Sequence, residues 1–143
     1  MAQEGLKIEE LLEACGAQLR SREALSELTV LEENRGDIKT AVKTALGKLG
    51  VVAVVGSVVA ENRRPNVSEP VWLPVNFVVA VYENVAVNRS RAGHLTAQVA
   101  TERCADALHH FRPGAWGPVT CRRIEPVEDG PINRYELECQ IGE

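Results

Sequence analysis

The apolar positions follow two rhythms, one helical and one extended. Between 38 and 49, Ile38, Ala41, Val42, Ala45, Leu46 and Leu49 recur at steps of three and one, with Lys39, Lys43 and Lys48 off the stripe. Asp37 stands where an N-cap belongs, and Gly50 where a left-handed C-terminal residue usually goes. This predicts a helix with one buried and one wet face. From 95 to 111 a second stripe of Ala97, Ala100, Cys104, Ala107, Leu108 and Phe111 predicts another helix, ended by Pro113 and Gly114. Its small residues let the axis approach a sheet closely. Residues 6 to 28 also read as helical, with Leu6, Leu11, Leu12, Cys15, Leu19, Leu25 and Leu28 among charged residues. Gly16 weakens the middle and Ser21 could open a second piece, so one bent helix and two short ones both fit.

The extended segments are as distinct. Residues 51 to 60 are rich in β-branched side chains, and 71 to 83 form a second long strand through Trp72, Phe77, Val79, Val81 and Tyr82. Pro74 cannot donate a ladder hydrogen bond, which puts that end at an edge or a bulge. Two strands, 119–127 and 133–141, flank a turn around 128–131. In the last, Tyr135, Leu137, Cys139 and Ile141 alternate with polar residues, as a half-buried strand requires. Residues 29–31 are β-prone but brief. The polar stretches 61–70 and 84–93 read as loops.

Strands joined by short loops favour hairpins. The expected fold is α+β: a mainly antiparallel four-stranded sheet, with the helices at 38–49 and 95–111 packed on one face. One domain is expected across 1–143, residues 1–30 forming a helical segment and 31–143 the α+β core. Length agrees, since 143 residues fit one domain.

Composition narrows the function classes. Aromatic residues are only 4% of the chain, so the core must be built from Val, Leu, Ile and Ala. The formal charge is −4, with 16 basic residues spread along the chain and no basic stripe, which argues against nucleic-acid binding. The start lacks the pattern of a signal peptide, and the longest apolar run is far too short to cross a bilayer. The expectation is a chain made in the cytoplasm with no membrane partner. Cys15, Cys104, Cys121 and Cys139 form no CxxC pair and no zinc-like spacing with His. They read as reduced thiols serving as small hydrophobes, although Cys121 and Cys139 could face each other across adjacent strands.

Candidate chemistry is thin. Neighbouring His109 and His110 point about 100° apart on a helix and do not readily share one metal. His94 has no partner near it in sequence. No G-x-S-x-G, phosphate loop or dinucleotide fingerprint occurs, and Ser57 follows Gly56 inside an apolar strand. Arg35-Gly36-Asp37 matches an adhesion tripeptide, yet Asp37 is accounted for as a cap. Asn66-Val67-Ser68 and Asn88-Arg89-Ser90 fit the glycosylation sequon, which has no bearing without secretion. The sequence therefore predicts no catalytic residue, no cofactor and no metal. What stands out is a concentration of polar donors on two loops: Arg63, Arg64, Asn88, Arg89 and Arg91. They are either solvated loop charge or a docking surface for acidic patches on neighbouring subunits.

Two stretches carry a resemblance. One is the capped helix ending in Lys48-Leu49-Gly50 and running into Val51-Val52-Ala53-Val54-Val55. The other begins Val78-Val79-Ala80-Val81-Tyr82-Glu83-Asn84, continues through Val87-Asn88-Arg89 and the Ala97–Leu108 helix, and closes with the strands ending Tyr135-Glu136-Leu137. Together, from about residue 30 onward, the chain resembles the tail terminator (tail completion) proteins of tailed bacteriophages. That resemblance implies a non-enzymatic virion protein, assembled in the host cytoplasm as a hexameric ring. It would cap the tail tube and join it to the neck or connector. The alternatives are another neck or tube subunit, or a small-molecule-binding α+β domain or enzyme, which would need a pocket near His94, Tyr82 or Glu83.

Overall fold

The computed structural model describes residues 7–33, 38–48, 50–88 and 95–142. The chain opens with α1 (Ile8–Arg20) and a short 3-10 turn at Glu23–Leu25, so the N-terminal segment is in two pieces. There follow β1 (Thr29–Glu32), α2 (Ile38–Lys48), β2 (Val51–Asn62), β3 (Trp72–Glu83), α3 (Val85–Asn88), α4 (Ala97–Leu108), β4 (Val119–Asp129) and β5 (Ile132–Ile141). The five strands lie in the order β1-β2-β3-β5-β4. All neighbours are antiparallel except β1 and β2, which run parallel with Thr29 opposite Val52.

The fold class is mixed α+β, but two expectations are corrected. First, the sheet has five strands and is mixed, because residues 29–32 pair with β2. A parallel pair cannot be closed by a tight turn, and α2 supplies the crossover. Secondly, the helices do not share one face. Val51, Ala53, Val55, Val75, Phe77, Val79, Val81, Leu137, Cys139 and Ile141 join Leu11, Leu12, Cys15 and Leu19 of α1 and Ala97, Ala100, Cys104 and Leu108 of α4 in one core. Val52 is completely buried, yet it points to the other side of β2 and lies outside that core. There α2 packs on β1 and β2, lying against Tyr82, the cross-strand partner of Val52. Val51–Val55 is consequently enclosed on both sides, which is why it is apolar without alternation.

Local chemistry sets the element ends. Thr96 caps α4, its hydroxyl accepting from the Val99 N–H at 3.3 Å. That helix stops at Leu108, three residues short of the predicted end, because His109 turns to extended backbone and His110 adopts φ +69. Gly50 has φ +83, as its predicted left-handed role requires; a Cβ there would stand 2.7 Å from the Asn88 backbone. Pro74 lies where the β2–β3 register slips between Ala60 and Asn62, the predicted bulge. A second irregularity, between Gly56 and Val59, places Ser57 at φ +54 with its N–H donating to Glu33. In β4 the register also slips between Cys121 and Arg123. The Asn62 side-chain oxygen accepts from Arg64 and Val71 N–H groups at 3.0 and 3.1 Å, closing the loop between β2 and β3.

Candidate functional site

Four features concentrate chemistry: a buried polar knot, a thiol cluster, a ladder of exposed ion pairs and a groove beside α2.

The knot joins β3, α3 and α4. Glu83 is buried, and its two carboxylate oxygens accept from Asn88 Nδ2 and from the Ala97 N–H, each at 2.9 Å. Asn88 Nδ2 also donates to the Leu95 carbonyl at 2.8 Å. The Glu83 negative charge thus meets the positive end of α4, where the first N–H groups have no helical partner. A similar device anchors α1 to β1. Arg20 donates to the Val30 carbonyl at 2.8 Å and to the buried carboxylate of Glu32. Gly16, an apparent weakness in the sequence, makes room for that carboxylate: a Cβ there would stand 2.4 Å from a Glu32 oxygen.

The four cysteines, scattered in sequence, come together between α1, α4, β4 and β5. Cys15, Cys104 and Cys139 belong to the core and Cys121 packs against it. Cys121 stands opposite Cys139 in the β4–β5 register, as foreseen. Burial, and then proximity to Cys121, push the Cys15 and Cys104 thiols up to about 12. The hydrogen bond between Cys139 and half-exposed Cys121 lowers Cys121 below its ordinary value and raises Cys139 well above. Among the described residues, no group of three or more His, Cys, Asp or Glu is arranged to hold a metal. Residues His109 and His110 stack with ring centroids 4.0 Å apart, and His109 Nδ1 accepts the Cys121 N–H at 3.1 Å. One imidazole is therefore tied to the backbone of β4.

The face of β4 and β5 opposite the core carries charge. Arg123 bridges Glu125 and Glu138 at 3.1 and 2.9 Å, and Arg134 pairs with Glu136 at 2.5 Å. These carboxylates hold the Arg123 guanidinium above its ordinary value. The Arg134 guanidinium also lies 5.0 Å from the centre of the Tyr82 ring. The exposed Arg123 pairs contribute little to stability and mainly set the surface potential, whereas Arg134 and Glu136 are partly buried.

Beside them is an open groove of about 460 Å³, lined by Lys39, Val42, Lys43, Leu46 and Gly47 of α2 and by Tyr82, Asn84 and Ile132. On α2 only Ala45 is buried, and it keeps 9% exposure, while Ile38, Ala41, Val42 and Leu46 are only partly covered. On α1 the equivalent stripe is buried almost completely. The lysines at 39 and 43, read in sequence as a wet face, form the rim of this groove. Their i, i+4 spacing was the available signal.

Of the predicted loop residues, Arg63, Arg64 and Asn88 are among the described ones. Arg63 and Arg64 are exposed in the loop between β2 and β3. Arg89 and Arg91 lie outside the described residues, as do His94, Asp37 and the rest of the Arg-Gly-Asp tripeptide. Asn88 is only 1% exposed, and its amide donates to Glu83 and to the Leu95 carbonyl. Nor do Tyr82 and Glu83 line a common pocket, since they point to opposite faces of β3 and only Tyr82 reaches the groove. No described helix is long and apolar enough to cross a membrane.

Comparison with known proteins gives a likeness among solved structures. No protein-family model matches the chain. No curated protein sequence matches it either. Among solved structures, a chain of the virion of a native gene transfer agent particle is similar over 92% of both chains, with a TM-score of 0.59 and 19% identity. At that identity the likeness establishes a shared fold over nearly the whole chain.

Proposed function

We propose that the chain is a structural subunit of a phage-like particle, and within it a tail terminator: copies arranged in a ring, six by expectation, that closes the tail tube and faces the neck. The observation that carries this reading is the near end-to-end likeness of fold to a chain of the gene transfer agent virion. The surface chemistry is compatible with it. Polar groups are spent on holding elements together, as at Glu83 and Glu32, or displayed on open faces, as along β4 and β5. Such a protein works through its interfaces with other particle proteins. The loop residues Arg63, Arg64, Arg89 and Arg91 remain candidates for those contacts, without Asn88.

The test is electron microscopy of particles made with and without this protein, alongside the solution mass of the purified chain. A terminator gives a closed ring in isolation and, when removed, tubes of uncontrolled length. Loss of tubes altogether would instead assign the chain to the tube. Normal particles in its absence would overturn the structural reading.

A further inference from the structure

We infer that the α2 groove receives the outer face of α1 from a second copy of the same chain, head to tail. The inference rests on the structural-subunit reading above and supplies the contact which that reading lacks.

Three observations lead to it. The first is incomplete burial. The apolar stripe of α2 covers Val52 but leaves Val42 and Leu46 lining an open groove, together with Tyr82 and Ile132. An apolar strip with a polar rim has the anatomy of an interface core. The second is charge complementarity. Lys39 and Lys43 stand one helical turn apart on the groove rim, and Glu9 and Glu13 stand one turn apart on the exposed side of α1. Both pairs are separated by about 6 Å along their helix axes. Ala17, one further turn along from Glu13, is also exposed, so this side of α1 is open to a partner over two turns.

The third observation is placement. On one face of the sheet α1 packs with α4, whereas α2 lies on the other. The two patches of one molecule therefore face away from each other and cannot meet within it. Pairing the acidic patch of one copy with the basic groove of the next is heterologous. Repetition of such a contact gives a ring when the rotation closes and a filament when it does not. Of the possible occupants, a second copy is favoured because the same chain displays the complementary charge at the matching spacing. An unrelated acidic helix is the occupant that the experiment must exclude.

The experiment is a charge-swap assembly assay on the full chain, read by light scattering at low salt and by negative stain. One variant carries Lys39→Glu and Lys43→Glu, the other Glu9→Lys and Glu13→Lys. All four sites are exposed, so both variants keep wild-type melting, which checks folding independently. The wild type assembles. Each variant alone presents like charges at both ends of the contact, and its association weakens at least tenfold. An equimolar mixture recovers assembly, because each variant's reversed patch meets the other's complementary one. Recovery on mixing is a signature that a merely structural role for these residues does not produce. Variants that assemble as well as wild type would overturn the contact while leaving the ring standing. Failure of the mixture to recover would also overturn it and assign the groove to another partner. A wild-type chain that stays monomeric at high concentration and low salt overturns both the contact and self-assembly.

Discussion

Replacing Glu83 with glutamine tests the packing logic of the fold most directly. The substitution keeps side-chain volume but removes the charge and turns one acceptor oxygen into a donor. Both carboxylate oxygens are in use, one for Asn88 Nδ2 and one for the Ala97 N–H. Whichever way the new amide is turned, its NH2 group faces another donor inside the protein. Asn88 could rotate its own amide to accept, but it would then lose its bond to the Leu95 carbonyl. One buried donor left unsatisfied costs about 1–3 kcal/mol. Loss of the charge at the start of α4 adds about 0.3–2 kcal/mol. Together these give about 1–5 kcal/mol, or a fall in melting temperature of roughly 4–18 °C for a domain of this size. Urea and thermal unfolding followed by circular dichroism measure it. The control is Glu125→Gln, which weakens an exposed pair with Arg123 and shifts stability by less than about 1 kcal/mol. A Glu83→Gln loss no larger than that of the control would refute the claim that this knot ties β3 to α4.

Three further outcomes are expected. Gly50→Ala forces a Cβ against the Asn88 backbone at a positive φ, so it should cost more than the roughly 1 kcal/mol of an unhindered left-handed alanine; a melting curve like that of wild type would contradict it. Arg20→Leu removes one cation from buried Glu32 and should destabilise by about 1–3 kcal/mol, discounted because Arg20 is partly exposed. Adding Glu32→Leu should recover a large share, which a double-mutant cycle in urea reads. The thiols predict both selectivity and pH dependence: native alkylation should label Cys121 first, as mass spectrometry of the peptides reports, and begin below the ordinary thiol value of 9.0. Cys15 and Cys104, raised to about 12, keep their protons in the fold when the unfolded chain has lost them. Their stabilisation is complete below pH 9 and is lost as pH climbs toward 12, at about 1.4 kcal/mol per pH unit for each. Cys121, shifted the other way, acts in a different window, adding stability as pH rises toward 9.0 and no slope above it, so Cys104→Ala should flatten the loss between pH 9 and 12.

Much of the architecture was legible because it is written in periodicity. The stripes of α2 and α4, the alternation of β5 and the hairpin strands all lie within a residue or two of their predicted limits, apart from the early end of α4. Strand β1 showed only as a brief β-prone stretch at 29–31 and was not counted in the sheet, because four residues carry too little pattern to separate a strand from a linker. Its parallel partner is also set by α2 rather than by a turn. The two-sided covering of β2 did leave a trace, in five consecutive apolar residues where a half-buried strand would alternate. The polar knot left none, since nothing local in Glu83 or Asn88 distinguishes a buried side chain from a solvated one. The Asn88 loop reading failed for that reason. Of the thiols, the Cys121–Cys139 pairing follows from hairpin register, whereas Cys15 and Cys104 meet them only once two helices dock.

The two outer strands bear on how such a chain avoids the wrong polymer. Strand β1 is only four residues long. Strand β4 is longer, but its register slips between Cys121 and Arg123, and Pro126 removes a main-chain donor. Exposed Arg122, Arg123 and Glu128 add charge. Short, kinked, proline-bearing and charged borders resist the edge-to-edge zipping that leads to amyloid. Growth of one copy onto the next through the backbone is thereby disfavoured. Contacts with other molecules are left to side-chain surfaces, whose shape and charge are more selective than a bare strand edge.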